Sequence, residues 1–268
     1  MNQPIIPNFA KRMAIWIWLM VIPVASFAAE PSPAAISAFN SYLRMVEIRL
    51  DAQHKAQGTL LAATAPADAQ LRKGELAIEK LTPNSDSGFP GAMLHDWRGT
   101  AFAPGATVAD FERLMQDFNA YPRHFSPQVL RARALGRQGE GTRASMRVRQ
   151  KHVITVVMDI NFAITFGRLD SRHGYSASRS SSIAEIDAPG TAEERVLGPG
   201  EAHGFLWRLN TYWSYEERDG GLLMQIESVS LTRSIPHGLG WAVGPFVESV
   251  PRESLEFTLR SVCNALRK

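Results

Sequence analysis

The chain has 268 residues, of which 45% are hydrophobic and 21% charged. That is ordinary globular composition, enough for one sizeable core and one or two domains. The formal charge is +3, and Lys11 and Arg12 near the N-terminus supply two of those positives, so the rest of the chain carries only +1. The whole-domain basic field of a nucleic-acid-binding protein is absent.

Residues 1–28 read as an address. Lys11-Arg12 forms a short positive region, Met13 to Ile22 is an apolar run, and Pro23 breaks any helix. Ser26 and Ala28 then place small residues where cleavage after Ala28 needs them. The run is too short to span a bilayer, which takes roughly 20 apolar residues. No cysteine follows it to carry a lipid. The expectation is a cleaved signal peptide and a periplasmic or secreted mature chain, with an uncleaved N-terminal anchor as the alternative. The one cysteine, Cys263, can form no internal disulfide, and it falls in a predicted helix as a small apolar residue rather than a nucleophile.

After Pro31-Ser32-Pro33, the spacing of Ile36, Phe39, Leu43, Val46 and Leu50 predicts an amphipathic helix reaching about Gln53. Residues 57–92, rich in Ala, Pro, Gly and Ser, read as a connection with one short strand around Leu76-Ala77-Ile78. Residues 93–268 read as one compact domain. His95 to Phe102 predicts a strand, and Thr107 to Asp110 is a capping box that starts a helix whose apolar face is Phe111, Leu114, Met115 and Phe118. Tyr121-Pro122 is expected to end it. Extended segments follow over 127–138, 141–152, 154–168, 173–187, 204–217 and 221–233. Gly-rich links at Gln138-Gly139-Glu140-Gly141 and Arg218-Asp219-Gly220-Gly221 predict hairpins and therefore an antiparallel sheet. A last helix, with Pro251 in its first turn, carries the stripe Leu255, Leu259, Val262 and Leu266.

Strand, helix, a run of antiparallel strands and a long C-terminal helix is an order that resembles the START-like, or SRPBCC, helix-grip superfamily of lipid-transfer, polyketide cyclase and coenzyme-Q-binding proteins. The wording is similar at Trp97-Arg98-Gly99, at Asp117-Phe118-Asn119-Ala120-Tyr121-Pro122, and from Ser234-Ile235-Pro236 through Gly240-Trp241. The resemblance covers about 93–268 and implies an α+β fold. A curved antiparallel sheet would wrap the C-terminal helix and enclose a cavity for an apolar ligand, with the N-terminal helix as an extra element.

If Asp219-Gly220 is the turn of the last hairpin, Tyr215 faces Met224, Trp213 faces Ile226 and Leu209 faces Ser230. Phe205 and Trp207 extend the same apolar face, which is expected to look toward Leu255, Leu259 and Val262. The candidate ligand-binding residues are therefore Trp207, Leu209, Trp213, Met224 and Ile226 on this hairpin, Met146 on an earlier strand, and Leu255 and Leu259 on the helix. Core packing alone is the competing reading of the same residues. The opposite face carries Arg208, Asn210, Tyr212, Gln225 and Glu227, with Arg208 and Glu227 expected in solvent unless the N-terminal helix covers them.

From Arg131 to Lys151 seven cations meet Glu140 alone, and Arg143, Arg147, Arg149 and Lys151 alternate with Ala144, Met146, Val148 and Gln150. The charge thus lies on the outer side of a strand. Transient contact with an anionic membrane and a merely solvated face that guards the sheet edge are both open readings; nucleic acid is not an expected partner. The sequence holds no HExxH, cysteine pair, GxSxG or P-loop, so no metal, cofactor or catalytic residue is assigned. His95, His152 and Asp159 lie on predicted strands and can project inward. The function expected is carriage of a hydrophobic small molecule or lipid in an internal cavity. A cyclase- or hydrolase-type enzyme using the same cavity and a non-catalytic interaction module are the alternatives.

Overall fold

The structure, a computed structural model, describes residues 30–56, 68–82, 88–151, 155–198, 200–235 and 240–267, without the side chains of 68, 138 and 240–248. Residues 1–28, expected to be a signal peptide, and His152 lie outside the described residues. Helix α1 spans Pro33–Lys55; the Ser32 hydroxyl accepts from Ala35 N at 3.1 Å, and Pro33 opens the first turn, where a missing N–H costs nothing. A short α2, Asp68–Arg72, precedes β1, Ala77–Lys80, and β2 is Ala92–Pro104. The capping box is present: Thr107 N donates to Asp110 Oδ2 at 3.2 Å and Asp110 N to Thr107 Oγ1 at 3.1 Å. It starts α3, Val108–Gln116. Tyr121-Pro122 does not end this helix. Asp117 does, and Tyr121 to His124 form a further turn, α4, with Pro122 in the first-turn position that proline tolerates.

Strands β3 (Val129–Gln138), β4 (Gly141–Lys151), β5 (Thr155–Arg168), β6 (His173–Asp187), the two-residue β7 (Arg195–Val196), β8 (Arg208–Arg218) and β9 (Gly221–Arg233) follow. They pair antiparallel in the order β1-β2-β9-β8-β6-β5-β4-β3, with β7 beside β6. The last hairpin turns at Asp219-Gly220, both at positive φ, and its pairs are those read from the sequence: Tyr215 with Met224, Trp213 with Ile226, Leu209 with Ser230.

Helix α5 spans Gly240–Leu266. It begins eleven residues before Pro251, which the sequence pattern placed in its first turn, so this proline sits inside the helix and leaves one carbonyl without its N–H partner. Its stripe lies on the concave face of the sheet. A side chain at Gly99 would meet Leu259 Cδ1 at 2.5 Å, so the bare backbone of β2 is what lets α5 approach. The other face of the sheet is covered too. Ala35, Phe39, Leu43, Val46 and Leu50 of α1 pack on Leu94, Trp207, Tyr212, Val229 and Leu231. The sheet is therefore the middle of three layers, with one apolar core on each side.

Candidate functional site

Alternation along each strand sorts the concave residues into two halves. Toward the β8–β9 turn, Trp213, Tyr215, Met224 and Ile226 meet Phe111 of α3 and Leu255 and Leu259 of α5. Phe111 packs at 5.2 Å from the Trp213 ring and 4.5 Å from that of Tyr215. All seven side chains are at most 3% exposed. A side chain facing a space wide enough for a ligand keeps accessible surface, and these keep almost none. They are solid core.

The other half is looser. Trp97, Met146, Val148, Ile183 and Leu209 pack against the same core yet stay only half-buried. Between them the ladder brings hydroxyls onto the same face: Ser228 lies between Trp97 and Thr211, and Thr211 faces Ser178. Ser180 accepts from Leu209 N at 2.9 Å, and the buried Trp97 Nε1 has no acceptor among the described residues. Gln150 Nε2 donates to Ser254 Oγ at 2.7 Å, which ties α5 to β4 at this end. The arrangement offers an apolar wall with scattered hydroxyls, the chemistry of a site for an amphipathic molecule.

Of the residues singled out in the sequence, Met146 and Leu209 fall in this looser half, while Trp213, Met224, Ile226, Leu255 and Leu259 fall in the solid one. Trp207 is on neither. It lies under α1, because β8 begins only at Arg208 and the chain before it does not keep the strand's alternation. His95 does project inward but is 2% exposed, its Nε2 2.9 Å from Thr232 Oγ1. Asp159 faces outward, where Arg147 grips it through two contacts of 2.7 Å and reaches Glu194 at 2.6 Å. Among the described residues no group of three or more His, Cys, Asp or Glu is placed to hold a metal.

Glu227 is the larger correction. It is 2% exposed, because α1 covers the convex face, and it is held by Arg49 and by Arg98, the latter at 3.1 Å. Arg208 is half-buried there as well. Tyr42 donates to Asp96 at 2.7 Å, Tyr212 to Glu47 at 2.9 Å, and His54 sits 2.9 Å from Ser214 Oγ and 4.7 Å from the Tyr175 ring. Burial first and the Glu227 carboxylate second push Asp96 up to about 7. No spacing rule linked α1 to these strand residues, so this seam was not legible beforehand. The only signal was that Tyr212, Gln225 and Glu227 alternate with apolar neighbours on a face that something had to cover.

Strand, helix, antiparallel strands and a closing helix on the concave face make this a START-like helix-grip fold. Solved structures similar to the chain include a START superfamily protein from Mycobacterium smegmatis, at 13% identity and TM-score 0.42 over 65% of this chain and 96% of that one. Human STARD10 aligns at 7% identity and TM-score 0.43 over 77% and 82%. The Zhui aromatase/cyclase from Streptomyces sp. R1128 aligns at 11% and 0.42 over 64% and 93%. No protein-family model and no curated protein matches the sequence.

Proposed function

We propose that this chain is an exported binding or carrier protein for a hydrophobic small molecule or lipid, held between the sheet and α5 at the Met146–Leu209 end. The observation that carries this is the uneven packing of the concave face. One half is closed to a few per cent exposure. The other keeps accessible apolar surface at Trp97, Met146, Val148, Ile183 and Leu209, around Ile160, which is itself buried. Interiors pack densely wherever nothing else is to be accommodated, so the looser half is where a ligand fits. Export to the periplasm or beyond is supported by the n-region, apolar run and small-residue cleavage pattern of residues 1–28.

Titration with a fluorescent fatty acid tests the reading. The protein is expected to bind it, and Leu209→Trp or Met146→Trp, which fill the space, are expected to weaken binding by about tenfold or more, the effect of losing roughly 1.4 kcal/mol. Thermal midpoints should stay close to the parent's. No binding by the parent, or equal binding by all three proteins, would refute it.

A further inference from the structure

The edge strand β3 carries two β-bulges, and a leucine occupies each. Pairing with β4 steps from Val129–Val148 to Arg131–Arg147, which leaves Leu130 over, and from Ala134–Ala144 to Gly136–Arg143, which leaves Leu135 over. A bulge releases a residue from the ladder and re-aims its side chain. Both leucines are 39% exposed, on a strand with no neighbouring strand along its other edge among the described residues. Arginines surround them: Arg131, Arg133, Arg137 and Arg143 are all exposed. Strands β3 and β4 hold seven cations against Glu140 alone, while the whole chain is only +3, so the rest of the molecule is net negative. Arg147 is taken up by Asp159 and Glu194, whereas Arg133, Arg137 and Arg143 form no ion pair among the described residues.

We propose that this edge of the sheet docks on an anionic bilayer, with Leu130 and Leu135 entering the interface and the four exposed arginines meeting lipid phosphates. An isolated solvated face needs the charge but not the leucines. An added acidic peptide strand would need an unbroken row of backbone donors and acceptors, which two bulges in ten residues interrupt. A bilayer requires no register. The inference rests on the carrier reading for its purpose: β4 presents Arg143 outward and Met146 and Val148 to the candidate site, so docking brings that site to the membrane.

The test is co-sedimentation of protein expressed as the full chain and taken from the soluble fraction, using phosphatidylcholine vesicles with and without phosphatidylglycerol. Binding should appear with the anionic lipid and weaken with salt. Arg133→Glu with Arg143→Glu should lower it by roughly thirtyfold, at about fivefold per arginine lost, and Leu130→Ser with Leu135→Ser by about tenfold. All four side chains are exposed, so thermal midpoints should hold. Equal binding by the parent and both double variants, or no preference for anionic vesicles, overturns the proposal. So does capture of the parent and the leucine variant alike on immobilised polyglutamate without vesicle binding, which assigns the face to an acidic polymer. Fatty-acid titration without vesicles separates the two claims. Probe binding without vesicle binding removes the docking surface alone; vesicle binding without probe binding removes the carrier reading alone.

Discussion

Asp96 is the residue at which the convex seam is most exposed to pH. Its Oδ2 accepts from Tyr42, its Oδ1 is buried without a hydrogen-bond partner among the described residues, and Glu227 stands close by with Arg49 and Arg98 around it. With a folded value near 7 against an ordinary 3.8, the folded state holds a proton that the unfolded chain gives up. Stability from this group is therefore present below about pH 4, declines as pH rises toward 7, and is lost above it. Asp96→Asn keeps the acceptor for Tyr42 and removes the charge. Urea unfolding should show the variant close to the parent at pH 4 and more stable than it at pH 8; an identical difference at the two pH values would contradict the assignment. Nothing in the sequence pointed to this carboxylate. Its strand was legible from His95 to Phe102, but the partners that make it unusual come from residues 42, 49 and 227, joined only by the fold.

Among the elements, α1 shows what sequence patterning settles and what it leaves open. Its apolar spacing fixed the helix and its buried side, and the β8–β9 register followed from one Asp-Gly turn, because both are periodicities of a single local segment. Where α1 docks is a long-range choice that no local period encodes. The same holds for the start of α5, which proline chemistry placed at Pro251 although the helix runs from Gly240. The convex core gives α1 a measurable weight. Phe39, 2% exposed, should cost about 3–5 kcal/mol on truncation to alanine. Met45, 61% exposed on the opposite side, should cost less than about 0.5 kcal/mol. Equal costs in denaturant titrations would mean that α1 does not hold its place on the sheet.

The whole molecule is a sheet with two differently treated faces. The convex face is covered by α1 through an apolar core and a polar seam, and the concave face is packed solidly against α3 and α5 toward the β8–β9 turn. The candidate site was half-legible for a physical reason. Strand alternation identifies which residues look inward, so Met146 and Leu209 were found beside Trp213, Met224 and Ile226. Whether an inward residue touches protein or space depends on how α3 and α5 pack, and Phe111 fills the half that the aromatic residues had made most attractive. Native mass spectrometry of protein purified without detergent or solvent distinguishes a filled interior from an empty one. The polypeptide should carry one small apolar molecule, released on activation and depleted in Leu209→Trp. A parent protein that flies as bare polypeptide, indistinguishable from the filled variant, would contradict it.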